Sequence, residues 1–338
     1  MNILITGVAG FIGFHTAKKL LDKGYKVIGV DNINNYYDKK IKLDRLKILK
    51  KTSIKNFKFF KKDISNYKEI ENIFKKNKIN YVINLAAQAG VRYSLKYPKT
   101  YLKSNISGFF NIIDISRRFK IKRLIYASTS SVYGLNVENP FTEKHTADHP
   151  IQFYAASKRS NELIAHSYSS LYNLETIGLR FFTVYGPWGR PDMALFKFVN
   201  NIIKNKAIEI FNYGNHARDF TYIDDIVDGI VLLIKSKKIF NTNNKNNKKN
   251  FSPDESSSPF KIFNIGSGKK TALMKYVKII EKNLKINAKK KYLPLQKGDI
   301  RSTLSNINSL KKFGYKPKVN PENGIKKFIN WYRDYYKI

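Results

Sequence analysis

Short apolar runs alternate with amphipathic stretches along the first 180 residues. Asn2-Ile3-Leu4-Ile5-Thr6, β-branched in part, reads as a buried parallel strand. In the stretch behind it, Ile12, Ala17, Leu20 and Leu21 fall on one apolar side, as in a helix. Lys26-Val27-Ile28-Gly29-Val30 is a second strand pattern and ends at Asp31. Phe57–Phe60 leads to Asp63-Ile64, Tyr81–Leu85 leads to Ala86–Gly90, and Arg123–Ala127 leads to Ser128-Thr129-Ser130-Ser131. Helical patterns lie between them, at Glu69–Lys76 and Ser104–Phe119. Strands alternating with helices predict an α/β protein with a doubly wound parallel sheet and right-handed crossovers. In such sheets ligands bind beyond the carboxyl ends of the strands. Asp63, the small residues at 86–90 and the hydroxyl cluster at 128–131 all stand at such ends.

The first strand runs straight into Gly7-Val8-Ala9-Gly10-Phe11-Ile12-Gly13. Strand, glycine turn, helix, strand and acid follow one another within about thirty residues, the layout of a dinucleotide (Rossmann) unit. Glycines let the backbone approach a pyrophosphate, which rests on the helix N-terminus. The spacing is GxxGxxG, one residue longer at the start than the usual fingerprint. Asp31 is placed to accept hydrogen bonds from the adenosine ribose. A carboxylate there repels a 2′-phosphate, so NAD is expected rather than NADP.

Tyr154-Ala155-Ala156-Ser157-Lys158 sets a phenol and an ammonium four residues apart, on one face of a helix. A free tyrosine, with a pKa of about 10, is a poor base at neutral pH. A nearby positive charge favours the phenolate, which makes the pair a candidate proton-transfer device. Tyr and Lys are both abundant in the chain, so the spacing gains weight from what surrounds it.

Gly7, Gly10 and Gly13, Asp31, Asp63-Ile64, Asn84-Leu85-Ala86-Ala87, Thr129, the Val132-Tyr133-Gly134 turn and the Tyr154/Lys158 pair together resemble the extended short-chain dehydrogenase/reductases. Within them the chain is similar to the nucleotide-sugar epimerases and dehydratases, over nearly its whole length, and Tyr154 follows Thr129 by 25 positions, as is usual there. The resemblance implies a retained NAD held by Gly7, Gly10, Phe11, Ile12, Gly13, Asp31, Asp63, Ile64, Ala86, Ala87 and Lys158. It implies Tyr154 as the base that removes the proton of a sugar C4 hydroxyl, giving a 4-keto sugar by hydride transfer. Thr129 hydrogen-bonds the same oxygen, and Lys158 holds the nicotinamide ribose and depresses the Tyr154 pKa. In the 4,6-dehydratases of the family the threonine is followed by Asp-Glu, and in the decarboxylases a Glu usually stands second after it. Here Ser130 and Ser131 follow, so no carboxylate is supplied to move a C5 proton, and simple 4-epimerisation is expected.

Leu179 to Ala194, with Gln88 to Ser94, is similar to the UDP-glucuronate 4-epimerases in particular. By that resemblance Arg190 and Thr183 are candidates for the sugar carboxylate, which an arginine fork suits by donating two parallel hydrogen bonds. Arg92, Ser130 and Ser131 join them as substrate candidates, and Arg218 is placed against the UDP diphosphate. Gly298-Asp299-Ile300-Arg301 matches a nucleotide-contacting segment, with Arg301 either a second phosphate ligand or a solvated side chain. Asp224 and Asp225 read as a helix N-cap and an acidic first turn. UDP-glucose 4-epimerisation, epimerisation of another UDP-sugar, and a non-catalytic nucleotide- or RNA-binding role are the alternatives.

With 63 Lys and Arg against 25 Asp and Glu, the formal charge is +38. The positive residues are spread over turns and outer helix faces among many Asn and Ile. That points to background composition rather than to a nucleic-acid or membrane partner. The chain has no cysteine, which excludes disulfides and thiolate chemistry, and the dispersed His145, His149 and His216 suggest no metal site. No apolar stretch approaches 18 residues and no signal peptide precedes the first strand, so a cytoplasmic enzyme is expected. The expected division is an NAD-binding domain at 1–179 with returning segments 221–235 and 260–266, and a smaller C-terminal α/β substrate lobe at 180–220 and 267–338. A polar low-complexity insertion, expected to be a mobile surface loop, lies at 236–259. A homodimer through the helices near 98–118 and 154–172 is implied by the resemblance alone.

Overall fold

The structure is a computed structural model that describes residues 1–237, 239–240 and 251–338. The elements of its first half are β1 (Asn2–Thr6), α1 (Phe11–Asp22), β2 (Lys26–Asp31), α2 (Lys39–Thr52), β3 (Phe57–Lys61), α3 (Tyr67–Lys76), β4 (Tyr81–Asn84), α4 (Val91–Lys96), α5 (Pro98–Tyr101), α6 (Gly108–Arg118), β5 (Arg123–Thr129) and α7 (Phe153–Tyr172). The second half contains β6 (Glu175–Phe181), β7 (Thr183–Tyr185), α8 (Ala194–Ile203), β8 (Ile208–Phe211), β9 (Ala217–Arg218), β10 (Phe220–Tyr222), α9 (Ile223–Lys235), β11 (Phe260–Ile265), β12 (Thr271–Ala272), α10 (Leu273–Leu284), β13 (Lys290–Leu293), α11 (Asn308–Lys311) and α12 (Pro321–Tyr336).

Seven strands form one sheet in the order β3-β2-β1-β4-β5-β6-β11, every neighbouring pair parallel. The order reverses between β1 and β4, and a crevice opens beyond the strand ends at that switch point. The near-continuous apolar runs have their cause here: Ile3, Leu4, Ile5, Val82, Ile83, Leu124 and Ile125 are buried between helices on both faces. A hydrophobic core runs without a break from β1 through α8, α9 and α10 to α12, so the sheet and the C-terminal segments share one interior.

Local signals explain several boundaries. The Asn66 side chain accepts the Glu69 N–H at the start of α3, and Asn320 does the same for Asn323 ahead of α12, where Pro321 opens the helix. Asn173 closes α7 in the left-handed conformation. The helical pattern at 104–119 is interrupted: Leu102–Ser107 is wound as a π-helix before α6 begins. Asp224 is not an N-cap, because α9 starts at Ile223 with Tyr222 in the cap position. Asp225 instead binds the backbone N–H groups of Lys318 and Val319, tying α9 to the segment before α12.

Only part of the segment 236–259, the expected polar insertion, is described. Residues 241–250 and Lys238 lie outside the described residues. Ile239 is buried in the core and Phe240 packs on Arg123. Asp254 and Glu255 each accept from the Lys261 ammonium at 2.5 Å, and Ser256 meets His166 at 2.9 Å. The segment at 251–259 is therefore held against the sheet edge by charge pairs that a count of polar residues does not show. No helix among the described residues is long and apolar enough to cross a membrane.

Candidate active site

The cofactor half of the site is built by the turn after β1. Gly7 has φ +70°, and a Cβ there would lie 2.8 Å from the Ala86 backbone nitrogen. Gly10 donates to the Gly7 carbonyl at 2.9 Å, and a side chain on Gly13 would strike that same carbonyl. The turn thus lies flat against the end of β4. No side chain caps the N-terminus of α1, which leaves its N–H groups facing the crevice as donors for an anion. Asp31 accepts from the Ala9 N–H at 3.1 Å and the Ile33 N–H at 2.8 Å, so it fixes the glycine turn as well as facing the cavity. Burial raises its pKa. Asp63 accepts from the Ser65 backbone and hydroxyl and from Asn32. Against the opposing effect of burial, these bonds hold its carboxyl below the ordinary range.

Two basic residues of α2 belong to this half and carry no sequence signal among so many lysines. Lys42 lines the cavity and donates to the Asn34 carbonyl and side chain at 2.8 and 2.7 Å. Burial brings its pKa down to about 8, although Asp31 opposes the shift. Arg45 is fully buried and donates to the carbonyls of Ala9 and Trp188, joining the glycine turn to the loop after β7.

The reacting end is formed by β5 and α7. Thr129, Ser130, Ser131, Tyr154, Lys158, Thr183 and Arg190 line the same cavity of about 420 Å³ as Gly7, Gly10, Phe11, Ile12, Gly13, Asp31, Asp63, Ile64, Ala86 and Ala87. That size suits a small-molecule ligand. Thr129 ends β5 and Tyr154 stands in the first turn of α7, with Lys158 one turn on. The Asn105 amide, from the π-helical segment, bridges Gln88 after β4 to Ser157 on α7. This bridge escaped the sequence reading because only the interrupted helix sets it there.

Burial pushes the Tyr154 phenol up, while the neighbouring Thr129 hydroxyl and the charge of Arg190 pull it down. The Lys158 ammonium is held at 2.8 Å by the Ala127 carbonyl, and burial lowers its own pKa to about 8.

The substrate candidates separate into two groups. Ser130, Ser131, Thr183 and Arg190 stand at the reacting end, but one donating edge of the Arg190 fork is already engaged. Asp192 accepts from Nε at 3.0 Å and from Nη2 at 2.5 Å. Arg92, Arg218, Asp299 and Arg301 gather outside the residues that line the cavity. Arg92 pairs with Asp299 at 3.1 Å, and Arg218 donates to the Arg301 carbonyl at 2.9 Å. The Arg301 side chain is exposed, and its carbonyl also meets the His216 ring. Gln152, just before α7, donates to the Gly298 carbonyl and joins this group to the reacting end. Among the described residues the only carboxylates lining the cavity are Asp31 and Asp63, and no cluster could hold a metal ion.

Residues 3–245 match the model of the NAD dependent epimerase/dehydratase family. The chain is 51% identical over 338 residues to Protein CapI of Staphylococcus aureus, all of both chains being covered. It is 42% identical over 344 residues to a probable UDP-glucuronate 4-epimerase of Rhizobium meliloti, covering 100% of this chain and 98% of that one. It superposes with a TM-score of 0.87 on the UDP-glucuronic acid 4-epimerase of Bacillus cereus solved in complex with UDP-glucuronic acid and NAD, at 29% identity over 99% of this chain and 100% of the other. By the family match over most of its length and the identity to these relatives, the chain belongs to the NAD dependent epimerase/dehydratase family.

Proposed function

We propose that this chain is an NAD-dependent nucleotide-sugar 4-epimerase that interconverts UDP-glucuronate and UDP-galacturonate. The observation that carries the reading is the composition of the reacting end. Tyr154, Thr129, Ser130, Ser131 and Arg190 meet there, and among the described residues the only carboxylates lining the cavity are Asp31, at the end of β2, and Asp63, just after β3. A site so equipped can move the C4 hydroxyl proton but has no acid or base at C5, which fits epimerisation rather than elimination.

The residues present suit NAD. A flat glycine turn, an uncapped helix N-terminus and a buried Asp31 converge on the switch point. NAD, when bound, accepts hydride from the sugar C4 and returns it, so the reaction is redox-neutral. Tyr154 takes the C4 hydroxyl proton as its phenolate and gives it back when the carbonyl is reduced on its other face. Thr129 hydrogen-bonds the same oxygen. Lys158 lies one helical turn below Tyr154, where its ammonium can hold a ribose hydroxyl. Arg190 and Thr183 recognise the uronate carboxylate, and Arg218 with Arg92 faces the diphosphate. Residues 1–179, with 221–235 and 260–266, form the NAD-binding part of this reading; 180–220 and 267–338 form the UDP-sugar lobe.

A homodimer through α6 and α7 is part of the proposal, supported by the exposed Leu102, Phe110, Leu163 and Leu171 on that side of the fold. The enzyme is placed in the cytoplasm, where NAD and UDP-sugars are found. Its product is an activated uronic acid, a donor for polysaccharide biosynthesis. Incubation of the purified protein with UDP-glucuronate, with the C4 configuration followed by NMR, tests the reading. UDP-galacturonate is expected, and its absence with an NAD-loaded protein would remove the proposed substrate.

A further inference from the structure

In the proposed reading the sugar preference rests on Arg190, and two residues that were not site candidates in the sequence build its surroundings. Asp192 takes the edge of the guanidinium formed by Nε and Nη2. The same carboxylate accepts the Tyr36 hydroxyl at 3.0 Å. The Arg190 guanidinium lies 5.8 Å from the centre of the Tyr36 ring. Tyr36 belongs to the loop after β2, 156 positions before Asp192. Its hydroxyl also lies against Gly90, where a Cβ would collide with it. Three loops, after β2, β4 and β7, therefore meet around one arginine.

A guanidinium has five N–H donors in a rigid plane. Asp192 engages one edge, and Nη1 forms no hydrogen bond with protein among the described residues. We propose that Asp192 and Tyr36 are positioning residues for uronate recognition, holding one edge of Arg190 so that the remaining N–H groups face the sugar end of the cavity as a preset fork. The inference rests on the proposed uronate substrate. Fixing a long side chain before binding removes the cost of ordering it during binding. Asp192 sits on a different edge from the one offered to the ligand, so its hold on the plane outweighs its repulsion of a second carboxylate.

The test is calorimetric titration of NAD-loaded protein with UDP-glucuronate and with UDP-glucose. Asp192→Asn and Tyr36→Phe are expected to weaken UDP-glucuronate by about fivefold or more, through loss of a charge-assisted contact, while leaving UDP-glucose within about twofold. In an Arg190→Ala background the same substitutions should have no further effect on the ratio. Unchanged or tighter UDP-glucuronate binding by Asp192→Asn would overturn the proposal and make Asp192 a competitor for the fork. Equal losses for both sugars would also overturn it, as a loop defect. A wild-type chain without preference for UDP-glucuronate would remove the substrate reading separately. The hold on Arg190 is then judged with whichever UDP-sugar turns over.

Discussion

Removing Glu162 should unfold this protein more readily than any other single change at the site. Glu162 and Arg180 are both fully buried, and the carboxylate accepts from Arg180 Nε at 3.0 Å and Nη2 at 2.9 Å, from the Ser128 hydroxyl at 2.6 Å and from Arg159 at 3.1 Å. The bonds join α7, which carries Tyr154 and Lys158, to the adjacent strands β5 and β6, where Ser128 and Arg180 are partners in register. In Glu162→Ala the Arg180 charge stays buried without this anion, and its Nη1 already lacks a partner among the described residues. Breaking such a pair from one side costs ~3–5 kcal/mol. Replacing both residues, as in Glu162→Leu with Arg180→Met, should cost far less, because both charges leave the interior together. Urea midpoints of the cofactor-free protein measure this. A single-substitution loss below about 1 kcal/mol, or a double variant no milder than the single one, would refute the reasoning. The pH dependence gives a second check. Although burial alone would raise it, the charge and hydrogen bonds of Arg180 hold the Glu162 carboxyl below its ordinary 4.5. The stabilisation is therefore complete above that value and is lost as pH falls through the depressed pKa, a loss the Glu162→Ala protein should not show.

Tyr154→Phe should lower turnover by about 10²–10⁴-fold while NAD stays bound, read by steady-state kinetics and by the cofactor content of the purified protein; unchanged turnover would remove Tyr154 as the base. Lys158 is buried with its pKa brought from 10.5 to about 8, so its charge opposes folding at neutral pH by an amount on the order of 3 kcal/mol. Lys158→Met is accordingly expected to raise the melting temperature of the cofactor-free protein while abolishing turnover, and the wild-type stability to rise between pH 8 and 10.5 as the folded state releases its proton first. Asp31→Asn should narrow the preference for NAD over NADP, by roughly tenfold, since the charge that repels a 2′-phosphate is gone; titration of the two dinucleotides checks it.

The parts of this protein that the sequence determined are those whose physics is local. Apolar runs buried on both faces, separated by amphipathic helices, specify a parallel sheet, and Gly7, Gly10, Gly13 and Asp31 mark its switch point because a tight turn and an acid at a strand end are short-range requirements. Tyr154 and Lys158 share a face because helical periodicity sets i and i+4 together, and Ser130-Ser131 are adjacent in the chain to Thr129. Tertiary structure decided whatever depends on partners far apart. Lys42 and Arg45 look like any of the other basic residues until burial singles them out. Arg301 contributes its carbonyl, a group every residue has. The Lys158 ammonium meets the Ala127 carbonyl, and the charge of Arg190, far off in the chain, also bears on Tyr154. The environment of Arg190, with Asp192 two residues away and Tyr36 156 positions from Asp192, exists only because the sheet brings the loops after β2, β4 and β7 to one end. Periodicity fixes which face a side chain takes, whereas charge pairing and desolvation act through space and are settled only when the chain has folded.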